Sequence, residues 1–544
     1  MRNVLFFDRD HCLACRSCEL ACAVAHSLSG RLESAMAEAN PPRRRVTMAA
    51  GKDGIEALRC EQCAEPLCAF ACKSGALRRD PFTGRVVFDD ARCVGCFMCL
   101  MVCATGVRAN PSTGRVVRCD ACEGLATPAC VAACPTKALA VRPAGEEPAR
   151  SDFAGHVVVV GSSAAGIAAC EAARETAPGC SITLVTRDTL PQYSRPLLAY
   201  VLAGSIERSG MTWRPEGYLD NQLRVSVLSG RKAVALASGQ GPLVLDDGTE
   251  LAFDRLVIAT GARAAPLTIP GATLEGVCSL RDLGDLEAIA DLAGSGRRAV
   301  ILGGGNVGLQ ASEALLARGT AVTIVVASSH LLSQMVDAEA GRRVGELFAR
   351  RGVCLLTNRD AVEIIGSARV EGVRLDNGDS IAADLVLVAK GIRPNVEWLC
   401  GSDVRIGRGI VVDRCGRTSA PGVFAAGDCA ETGDPLSGRP SISGMWPVAY
   451  EMGRAAGSTA VGVDRACAGA LRMNASRFFG ESIISIGEVR PERLEGATAE
   501  VLMNSDGIYR KLVWHGGRLA GALLYGDIAN AGNYYRAYRE QRVS

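Results

Sequence analysis

The hydrophobic pattern of the chain becomes regular from residue 156 onward. The continuous β-branched run His156–Val160 predicts a strand buried on both faces of a parallel sheet. It leads into a small-residue turn over residues 161–166 and an alanine-rich segment that predicts a helix. The next apolar run, residues 181–185, predicts a second strand. This order of strand, turn, helix and strand indicates an α/β fold.

The same pattern recurs about 140 residues later, with predicted strands at residues 299–302 and 321–326. A glycine-rich turn between strand and helix presents backbone amides to a pyrophosphate, so two such units predict two dinucleotide sites. The second turn has the full G-x-G-x-x-G spacing, whereas the first has serine at its middle position. The residues concerned are Gly161, Ser163 and Gly166 in the first turn, and Gly303, Gly305 and Gly308 in the second.

The residue that would hold each adenosine ribose differs between the two units. Asp188 follows the second strand of the first unit at about the distance where an acidic side chain reaches a ribose hydroxyl. The second unit instead runs from Val326 into Ala327, Ser328, Ser329 and His330, with neither an acid nor an arginine. The choice between NAD and NADP therefore stays open.

The first 140 residues have a different pattern, in which short strands precede cysteine-rich loops. Residues 80–93 (DPFTGRVVFDDARC) are echoed by residues 110–122 (NPSTGRVVRCDAC), each predicting a turn and one arm of a hairpin. Residues 142–155 are rich in proline, glycine and charge without an apolar period, which is typical of a linker. Two kinds of domain are fused in this chain.

Length and charge narrow the function classes. With 544 residues, three or four domains are expected. Sixty Lys and Arg oppose 58 Asp and Glu, which gives no basis for nucleic acid or an anionic membrane as a partner. No apolar run reaches the roughly 18 residues of a membrane span, and the first residues lack the order of a signal peptide. We therefore expect a cytoplasmic protein without a membrane span.

Cysteine gives the chemistry of the first domain. Of 24 cysteines, 16 fall into four groups before residue 135: Cys12, Cys15, Cys18 and Cys22; Cys60, Cys63, Cys68 and Cys72; Cys93, Cys96, Cys99 and Cys103; Cys119, Cys122, Cys130 and Cys134. The first and third groups have the C-x2-C-x2-C-x3-C spacing of bacterial ferredoxins, and sixteen thiolates can ligate four 4Fe-4S clusters. A disulfide framework is disfavoured by the reducing cytoplasm, and structural zinc by the third cysteine of each run.

The spacing of the second and fourth groups adds a resemblance. Residues 1 to about 140 resemble the polyferredoxin-type electron-transfer subunits of molybdenum and tungsten oxidoreductases. The stretches 12–27 and 42–46 most resemble the iron-sulfur protein associated with nickel carbon monoxide dehydrogenase. The resemblance implies a ferredoxin-like α+β domain whose clusters exchange one ligand. The implied sets are Cys12, Cys15, Cys18 and Cys134; Cys119, Cys122, Cys130 and Cys22; Cys60, Cys63, Cys68 and Cys103; Cys93, Cys96, Cys99 and Cys72.

Residues 156 to about 465 resemble a flavoprotein family. The segments YSRPLLAYVLAG (193–204), LVIATGARAAP (256–266), KGIRPN (390–395) and VFAAGDCAE (423–431) are similar to the FAD-dependent pyridine nucleotide oxidoreductases of the glutathione reductase superfamily, nearest the NADH-rubredoxin and nitrite reductase modules. The resemblance implies that FAD is held by Gly161, Ser163, Gly166, Asp188, Thr260, Gly261, Gly427 and Asp428. It places Arg195 beside the flavin as the catalytic residue and assigns Gly303, Gly305 and Gly308 to NAD(P)(H).

The flavoprotein part lacks the C-x4-C or C-x2-C pair of disulfide reductases, and its eight cysteines are interpreted as small buried residues. Electron transfer between flavin and clusters is therefore the predicted function, in an anaerobic setting. The leading partner is carbon monoxide dehydrogenase; the alternatives are aldehyde:ferredoxin oxidoreductase and ferredoxin. A docked relay subunit without independent turnover is a hypothesis of another class.

The expected domains follow from these boundaries. They are a four-cluster domain at 1–140, a linker at 141–155, an FAD domain at 156–280 with 395–465, an NAD(P) domain at 281–394, and a small α+β interface domain at 466–544. The last segment suggests a homodimer.

Overall fold

The computed structural model describes residues 3–51, 54–80, 83–143, 149–189, 192–238 and 241–543. The chain divides into two compact units. The cysteine-rich unit comprises Met1–Pro148 with Asp527–Arg539, and the flavoprotein unit comprises Ala149–Gly526 with Glu540–Ser544.

The cysteine-rich unit is built from antiparallel strand pairs and short helices. Its paired strands are Asn3–Phe7 with Leu139–Pro143, Thr47–Gly51 with Gly54–Leu58, Leu77–Arg79 with Val86–Phe88, and Val107–Asn110 with Arg115–Arg118. Its helices are Ser17–Ala25, Leu32–Met36, Leu67–Phe70, Met98–Met101 and Ala129–Ala132. The last two hairpins confirm the strand predicted before each repeated cysteine loop, although Pro81 and Phe82 of the first turn lie outside the described residues.

The linker begins later than the predicted boundary at residue 141. Val141, Arg142 and Pro143 pair with Leu5, Val4 and Asn3, so they complete a strand of the cysteine-rich unit. The exposed, charged composition of this segment concealed the strand because only one of its residues, Leu139, is buried in the core. Residues 144–148 of the predicted linker lie outside the described residues.

The first α/β domain has the predicted parallel sheet. Its strand order is Ser226–Ser229, Ser181–Thr186, His156–Val160, Arg255–Ile258 and Val423–Ala425. Val157, Val158 and Val159 are completely buried, as expected of a central strand covered on both faces. Helices Ala164–Thr176 and Trp446–Ala460 pack on each other, and Leu198–Leu202 follows the arginine-containing turn. Smaller sheets complete the domain: Ala233–Leu236, Leu243–Leu245 and Glu250–Leu251; Ile410–Val411, Ala430–Gly433 and Pro440–Ser441.

The second α/β domain repeats this architecture. Its parallel sheet has the order Val277–Cys278, Leu385–Val388, Arg298–Leu302, Ala321–Val326 and Cys354–Thr357, with helices Leu283–Leu292, Asn306–Ala317 and Ala338–Arg350. The antiparallel strands Ala361–Gly366, Val370–Leu375 and Ser380–Ala382 pack beside it. The domain begins before residue 281, because strand Val277–Cys278 already pairs with its sheet. The connecting strands Ala262–Ala264 and Ile392–Pro394 pair with each other.

The C-terminal segment forms a five-stranded antiparallel sheet in the order Met473–Phe478, Glu481–Gly487, Arg518–Tyr525, Ile508–His515 and Thr498–Ser505. The segment does not stay together as predicted for 466–544. Its final helix, Ala531–Val543, is grouped as far as Arg539 with the cysteine-rich unit. The cause is local packing, since Gly532 lies so close to the backbone of Cys103 and Ala104 that a Cβ would overlap the Cys103 carbonyl.

The helices of the molecule are short. The longest in the described ranges, Trp446–Ala460, has 15 residues, and the four-residue helices of the cysteine-rich unit make a single turn each. Within the described residues, no helix combines the length and the apolar character needed to cross a bilayer.

Candidate functional site

The first nucleotide turn is folded as its glycines require. Gly161 has φ +112°, and a Cβ there would overlap the carbonyl oxygen of Ala259 on the adjacent strand. A Cβ on Gly166 would overlap the carbonyl oxygen of Gly161, so the helix approaches the turn closely. These contacts leave the first amides of helix Ala164–Thr176 at the end of strand His156–Val160, where the helix dipole favours an anion.

The second turn has the same geometry. Gly303 has φ +121°, and Gly308 packs against the Gly303 carbonyl as Gly166 does in the first unit. The middle positions also match, because Ser163 and Gly305 both precede their helices with extended backbone and negative φ. The backbone conformation at the middle position therefore accepts serine. The serine side chain only takes up room that glycine would leave for the pyrophosphate. Gly305 has open space where its Cβ would be, as close approach of a pyrophosphate requires.

Four charged residues of the flavoprotein unit are connected by hydrogen bonds and an ion pair. Arg195 donates to Asp188 at 2.6 Å and to the carbonyl oxygen of Arg281 at 2.9 Å. The guanidinium of Arg281 lies 3.6 Å from the carboxylate of Asp428. The sequence predicted three of these four side chains, and the fold joins them into one network through Arg281. Arg281 was missed because it precedes a helix outside either glycine motif; its position directly before the N-cap Asp282 is the signal that could have found it.

Unpaired donors in the same region fit FAD. Among the described residues, the buried hydroxyl groups of Tyr193 and Ser194 and the Nε of Arg281 have no hydrogen-bond partner. Such groups are rare without an acceptor, and the flavin nucleotide offers phosphate, ribityl and ring acceptors. Burial raises the pKa of Asp428, which Arg281 and Arg195 oppose. Arg195 and Arg281 pair with the carboxylates of Asp188 and Asp428. The hydroxyl groups of Tyr193 and Ser194 and the Nε of Arg281 remain available to bind FAD.

Thr260 and Gly261 form a turn held by Asn395. The Thr260 hydroxyl donates to the Asn395 carbonyl at 2.9 Å, and the Asn395 amide donates to the Thr260 carbonyl at 2.9 Å. Gly261 adopts φ +64°, and Gly427 adopts φ +79° with its Cα facing the side chain of Ala165. Asn395 is a second residue that sequence reasoning left without a role, although it lies in the quoted segment 390–395.

The fold brings the backbone of Arg359 beside the end of the strand where the second ribose is expected. Its guanidinium donates to the Asn358 carbonyl at 2.7 Å. The backbone N–H of Arg359 donates to the Val326 carbonyl at 3.1 Å, and Asn358 donates to the Ser328 carbonyl at 3.1 Å. Arg359 follows strand Cys354–Thr357, the parallel neighbour of the strand that ends at Val326. The sequence directly after Val326 has no arginine, but the fold brings Arg359 next to Val326 from a neighbouring strand.

The four cysteine loops share an uncommon backbone conformation. The residue directly before the second cysteine has positive φ in every group: Ala14 (54°), Gln62 (49°), Gly95 (63°) and Ala121 (58°). Arg16 and Phe97, at equivalent positions of the first and third groups, both have φ 58°. Each such residue other than glycine costs about 1 to 2 kcal/mol. Strain repeated at the same place in four loops requires compensation, and metal ligation of the flanking thiolates fits this need.

In the third and second groups, thiols of different loops become neighbours. Burial raises the pKa of Cys68, and further thiolates add to the effect: Cys103, Cys60 and Cys63. Burial likewise raises the pKa of Cys99, and the thiolates that add to it include Cys72, Cys96 and Cys93. Thiols of the two groups are therefore close to one another: Cys103 acts on Cys68, and both Cys72 and Cys68 act on Cys99. The ligand sets that the resemblance implied stay a prediction.

Thiols of the first and fourth groups also act on one another. Burial raises the pKa of Cys130 to about 12, with contributions from the thiolates of Cys119, Cys22 and Cys122. Burial raises the pKa of Cys18 to about 11, with a contribution from Cys134. Thiolates held this close repel one another unless a cation neutralises them, so the donor sets fit iron-sulfur clusters.

The four sets are linked in a row. Cys18 of the first set raises the pKa of Cys130 in the next, after the larger effects of burial and of nearer thiolates. Cys60 has this effect on Cys119, and Cys68 on Cys99. We name each set by its first cysteine. These contributions connect the Cys12 set to the Cys119 set, the Cys119 set to the Cys60 set, and the Cys60 set to the Cys93 set.

Backbone and side-chain donors surround the sulfurs. Main-chain N–H groups of Arg45, Leu77, Gly106 and Ala121 donate to Cys22, Cys72, Cys103 and Cys119 at 3.2 to 3.3 Å. Hydrogen bonds of this kind stabilise cluster thiolates and influence their potentials. The surroundings of these sulfurs therefore suit cluster ligands as well as the thiol sets do.

His26 serves as the C-cap of helix Ser17–Ala25. Its Nδ1 lies 2.6 Å from the Cys22 carbonyl, and its Nε2 lies 3.0 Å from the Asp120 carboxylate. The hydrogen bond to Asp120 is the main cause that raises the pKa of His26 to about 10. Histidine thus ties a ligand-bearing helix to the loop of Cys119 and Cys122 without being needed as a seventeenth ligand.

The remaining eight cysteines are less uniform than predicted. Cys170, Cys180, Cys429 and Cys467 are buried, but Cys354 and Cys400 are exposed and Cys278 and Cys415 are half-buried. The interpretation as buried residues is therefore wrong for Cys354 and Cys400. Cys354 opens the edge strand of the second parallel sheet, where one face is covered less completely.

With this geometry in place, comparison with known families gives three matches. A family model for pyridine nucleotide-disulphide oxidoreductases covers residues 155–453, more than half of the chain. The chain belongs to the pyridine nucleotide-disulphide oxidoreductase family. A 4Fe-4S dicluster domain model covers residues 54–143, and a rubredoxin NAD+ reductase C-terminal domain model covers residues 473–542. One chain therefore combines a pyridine nucleotide-disulphide oxidoreductase module, a 4Fe-4S domain and a rubredoxin NAD+ reductase C-terminal domain.

Related proteins agree with this assignment. The chain is 30% identical over 389 residues to nitrite reductase (NAD(P)H) of Bacillus subtilis (strain 168), covering 71% of this chain and 47% of that protein. It is 32% identical over 332 residues to the epsilon subunit of NADH-dependent phenylglyoxylate dehydrogenase of Aromatoleum evansii, covering 61% and 78%. The solved NAD-dependent persulfide reductase of A. fulgidus is 27% identical, with a TM-score of 0.66 over 71% of this oxidoreductase and 77% of that chain. This oxidoreductase spans less than half the length of its first curated relatives.

Proposed function

We propose that this oxidoreductase moves electrons between NAD(P)(H) and a redox partner protein through FAD and four 4Fe-4S clusters. The observation that supports the proposal is the row of four thiol sets, in which thiols of different loops raise one another's pKa. The dicluster model covers only the part of this row from residue 54 to 143. The first group, at Cys12 to Cys22, completes the two remaining sets.

The residues of the flavoprotein unit hold the two nucleotides. FAD bound there would supply the chemistry that connects a two-electron hydride donor, NAD(P)H, to one-electron clusters. The amides after Gly161 and Gly303 would bind the two pyrophosphates. Asp188 would accept hydrogen bonds from the adenosine ribose and Asp428 from the ribityl hydroxyl groups. Arg195 holds Asp188 in place through a hydrogen bond of 2.6 Å. The C-terminal sheet supports the second turn, because Asn474 accepts a hydrogen bond from Asn306 at 2.5 Å.

The leading partner is carbon monoxide dehydrogenase, supported by the sequence resemblance of residues 12–27 and 42–46 to its iron-sulfur protein. Electrons would then pass from CO through the clusters to FAD and NAD(P)+. Aldehyde:ferredoxin oxidoreductase and ferredoxin are the alternative partners. The expected location is the cytoplasm, where reduced thiols favour cluster assembly. The C-terminal sheet is the surface proposed for a homodimer.

A relay subunit without independent turnover is the second candidate. It is favoured by the similarity to the epsilon subunit of phenylglyoxylate dehydrogenase, a protein named as part of a larger enzyme. Dye reduction by NADH or NADPH with the isolated chain distinguishes the two candidates. Turnover supports the oxidoreductase with its own activity, and absence of turnover supports the docked relay.

The deciding experiment is an anaerobic titration of the purified protein with NADH and with NADPH. Iron and FAD are counted first, then flavin bleaching is followed optically and cluster reduction by electron paramagnetic resonance. We expect about 16 iron atoms per FAD and cluster signals after nucleotide or a low-potential donor. Zinc in place of iron, or a flavin that never exchanges electrons with the clusters, would overturn the proposal.

A further inference from the structure

A buried arginine lies where two cysteine sets meet. Arg118 ends strand Arg115–Arg118 and directly precedes Cys119, and only 2% of its surface is exposed. Its Nη2 donates to the sulfur of Cys60 at 3.1 Å, and its Nη1 donates to the Val86 carbonyl at 2.6 Å. A full positive charge is thus held beside a proposed cluster ligand and out of water.

The same guanidinium has a donor to spare. Within the described part of the chain, Arg118 Nε is buried and has no hydrogen-bond partner. Buried donors normally have an acceptor, so this N–H is accounted for if its acceptor is an atom of the group that the thiols bind. The guanidinium of arginine keeps its proton in proteins. The side chain therefore remains a cation.

We propose that Arg118 sets the reduction potential of the cluster held by Cys60, Cys63, Cys68 and Cys103, making this cluster the more easily reduced member of the central pair. The inference rests on the proposed function. A cluster gains negative charge when it accepts an electron, and a nearby buried cation stabilises that charge strongly because little water screens it. An N–H donor to the ligand sulfur acts in the same direction.

The step affected is the transfer of one electron between neighbouring clusters. No bond forms or breaks, and the electron is supplied by NAD(P)H through FAD or by the partner protein. Arg118 directly precedes Cys119 and donates to the sulfur of Cys60, so it lies between the Cys119 set and the Cys60 set. Its charge therefore decides on which side of the row an electron rests.

Arg59 offers a matched control. It directly precedes Cys60, as Arg118 precedes Cys119, but its guanidinium donates to backbone carbonyls of Leu5 and Ala57 rather than to sulfur. Arg59→Gln removes one positive charge from the same unit and leaves the N–H to Cys60 sulfur bond in place. A general loss of charge and a specific loss of the contact are thereby separated.

The test is an anaerobic redox titration of the full chain with dithionite and mediators, followed by electron paramagnetic resonance of each cluster. In Arg118→Gln we expect one cluster to become harder to reduce by at least tenfold in its one-electron equilibrium constant, about 59 mV. Arg118→Lys keeps the charge without the fork and is expected to fall between wild type and Arg118→Gln. Arg59→Gln is expected to change every constant by less than about twofold.

Two results would overturn the inference. One is unchanged potentials in Arg118→Gln with full iron content. The other is loss of iron from both Arg118→Gln and Arg118→Lys, which would make Arg118 a residue of assembly alone. Failure of the proposed function is recognised separately, because wild-type protein would then lack about 16 iron atoms or show no electron exchange with flavin.

Discussion

The cysteine-rich unit and the flavoprotein unit obtain their order in different ways. In the first, four of the nine buried side chains in the core around Leu5 are cysteines, and three helices have only four residues. In the second, valines on a central strand are fully buried and helices reach 12 to 15 residues. Isolated single-turn helices are unstable, so the first unit depends on its ligands and the second on apolar burial.

The comparison also separates two loops with the same backbone. Ala14 and Arg16 in the first group match Gly95 and Phe97 in the third group in φ. Arg16 of the first loop is exposed, whereas Phe97 at the equivalent position of the third is buried. The same backbone geometry therefore occurs in an exposed loop and in a buried loop, and the side chains at this position differ in exposure.

Removal of iron should have the largest effect and should affect the two units differently. We expect anaerobic chelation to unfold the cysteine-rich unit, because positive-φ strain and mutual thiolate repulsion lose their compensation. The flavoprotein sheets should stay folded. Hydrogen exchange followed by mass spectrometry measures this, with loss of protection in residues 93–103 and retention in residues 156–160. Equal protection of both segments before and after chelation would contradict a metal-dependent fold.

Gly166→Ala should damage only the flavoprotein unit. The added Cβ overlaps the Gly161 carbonyl, so we expect loss of FAD and a free energy of unfolding lower by about 3 kcal/mol. Flavin content and thermal unfolding are the measurements, and cluster signals should be unchanged. Gly179→Ala is the control, since nothing lies within 4 Å of its Cβ position. Equal FAD content in both variants would remove the role given to the first turn.

Arg281→Gln tests the residue that joins the two acidic groups of the flavin site. Arg281 is half-buried, and loss of a charged hydrogen-bond donor costs about 1.5 to 3 kcal/mol, so we expect FAD to bind roughly 10- to 100-fold more weakly. Fluorescence titration of the flavin-free protein gives the dissociation constant. Arg208→Gln is the control, because its ion pair with Glu287 is exposed on both sides. An unchanged constant for Arg281→Gln would exclude this contact.

Arg359→Ala should have the smallest effect of the four changes, and it tests whether the protein prefers NADPH or NADH. If the Arg359 guanidinium binds a 2′-phosphate, its removal should raise KM for NADPH about tenfold and leave KM for NADH within about twofold. Steady-state dye reduction with each nucleotide measures both constants. Equal changes with NADH and NADPH would show that Arg359 does not read the ribose.

Particular residues show how far the sequence could be interpreted. Strand His156–Val160, both glycine turns and the repeated hairpins follow from local patterns, and the structure confirms them. Val141 to Pro143 and Cys354 were assigned wrongly because an edge strand carries little apolar signal. Arg281, Asn395 and Arg118 were missed because each acts on a partner distant in sequence.

The sequence by itself determined the cysteine groups, the two dinucleotide turns and the family, because thiol spacing, glycine spacing and apolar runs are local properties. The tertiary structure alone decided which thiols become neighbours, and that the last helix belongs with the cysteine-rich unit. It also placed Arg359 beside Val326 and a buried Arg118 at the sulfur of Cys60. These are contacts between distant segments, and their energies depend on burial that a linear pattern does not contain.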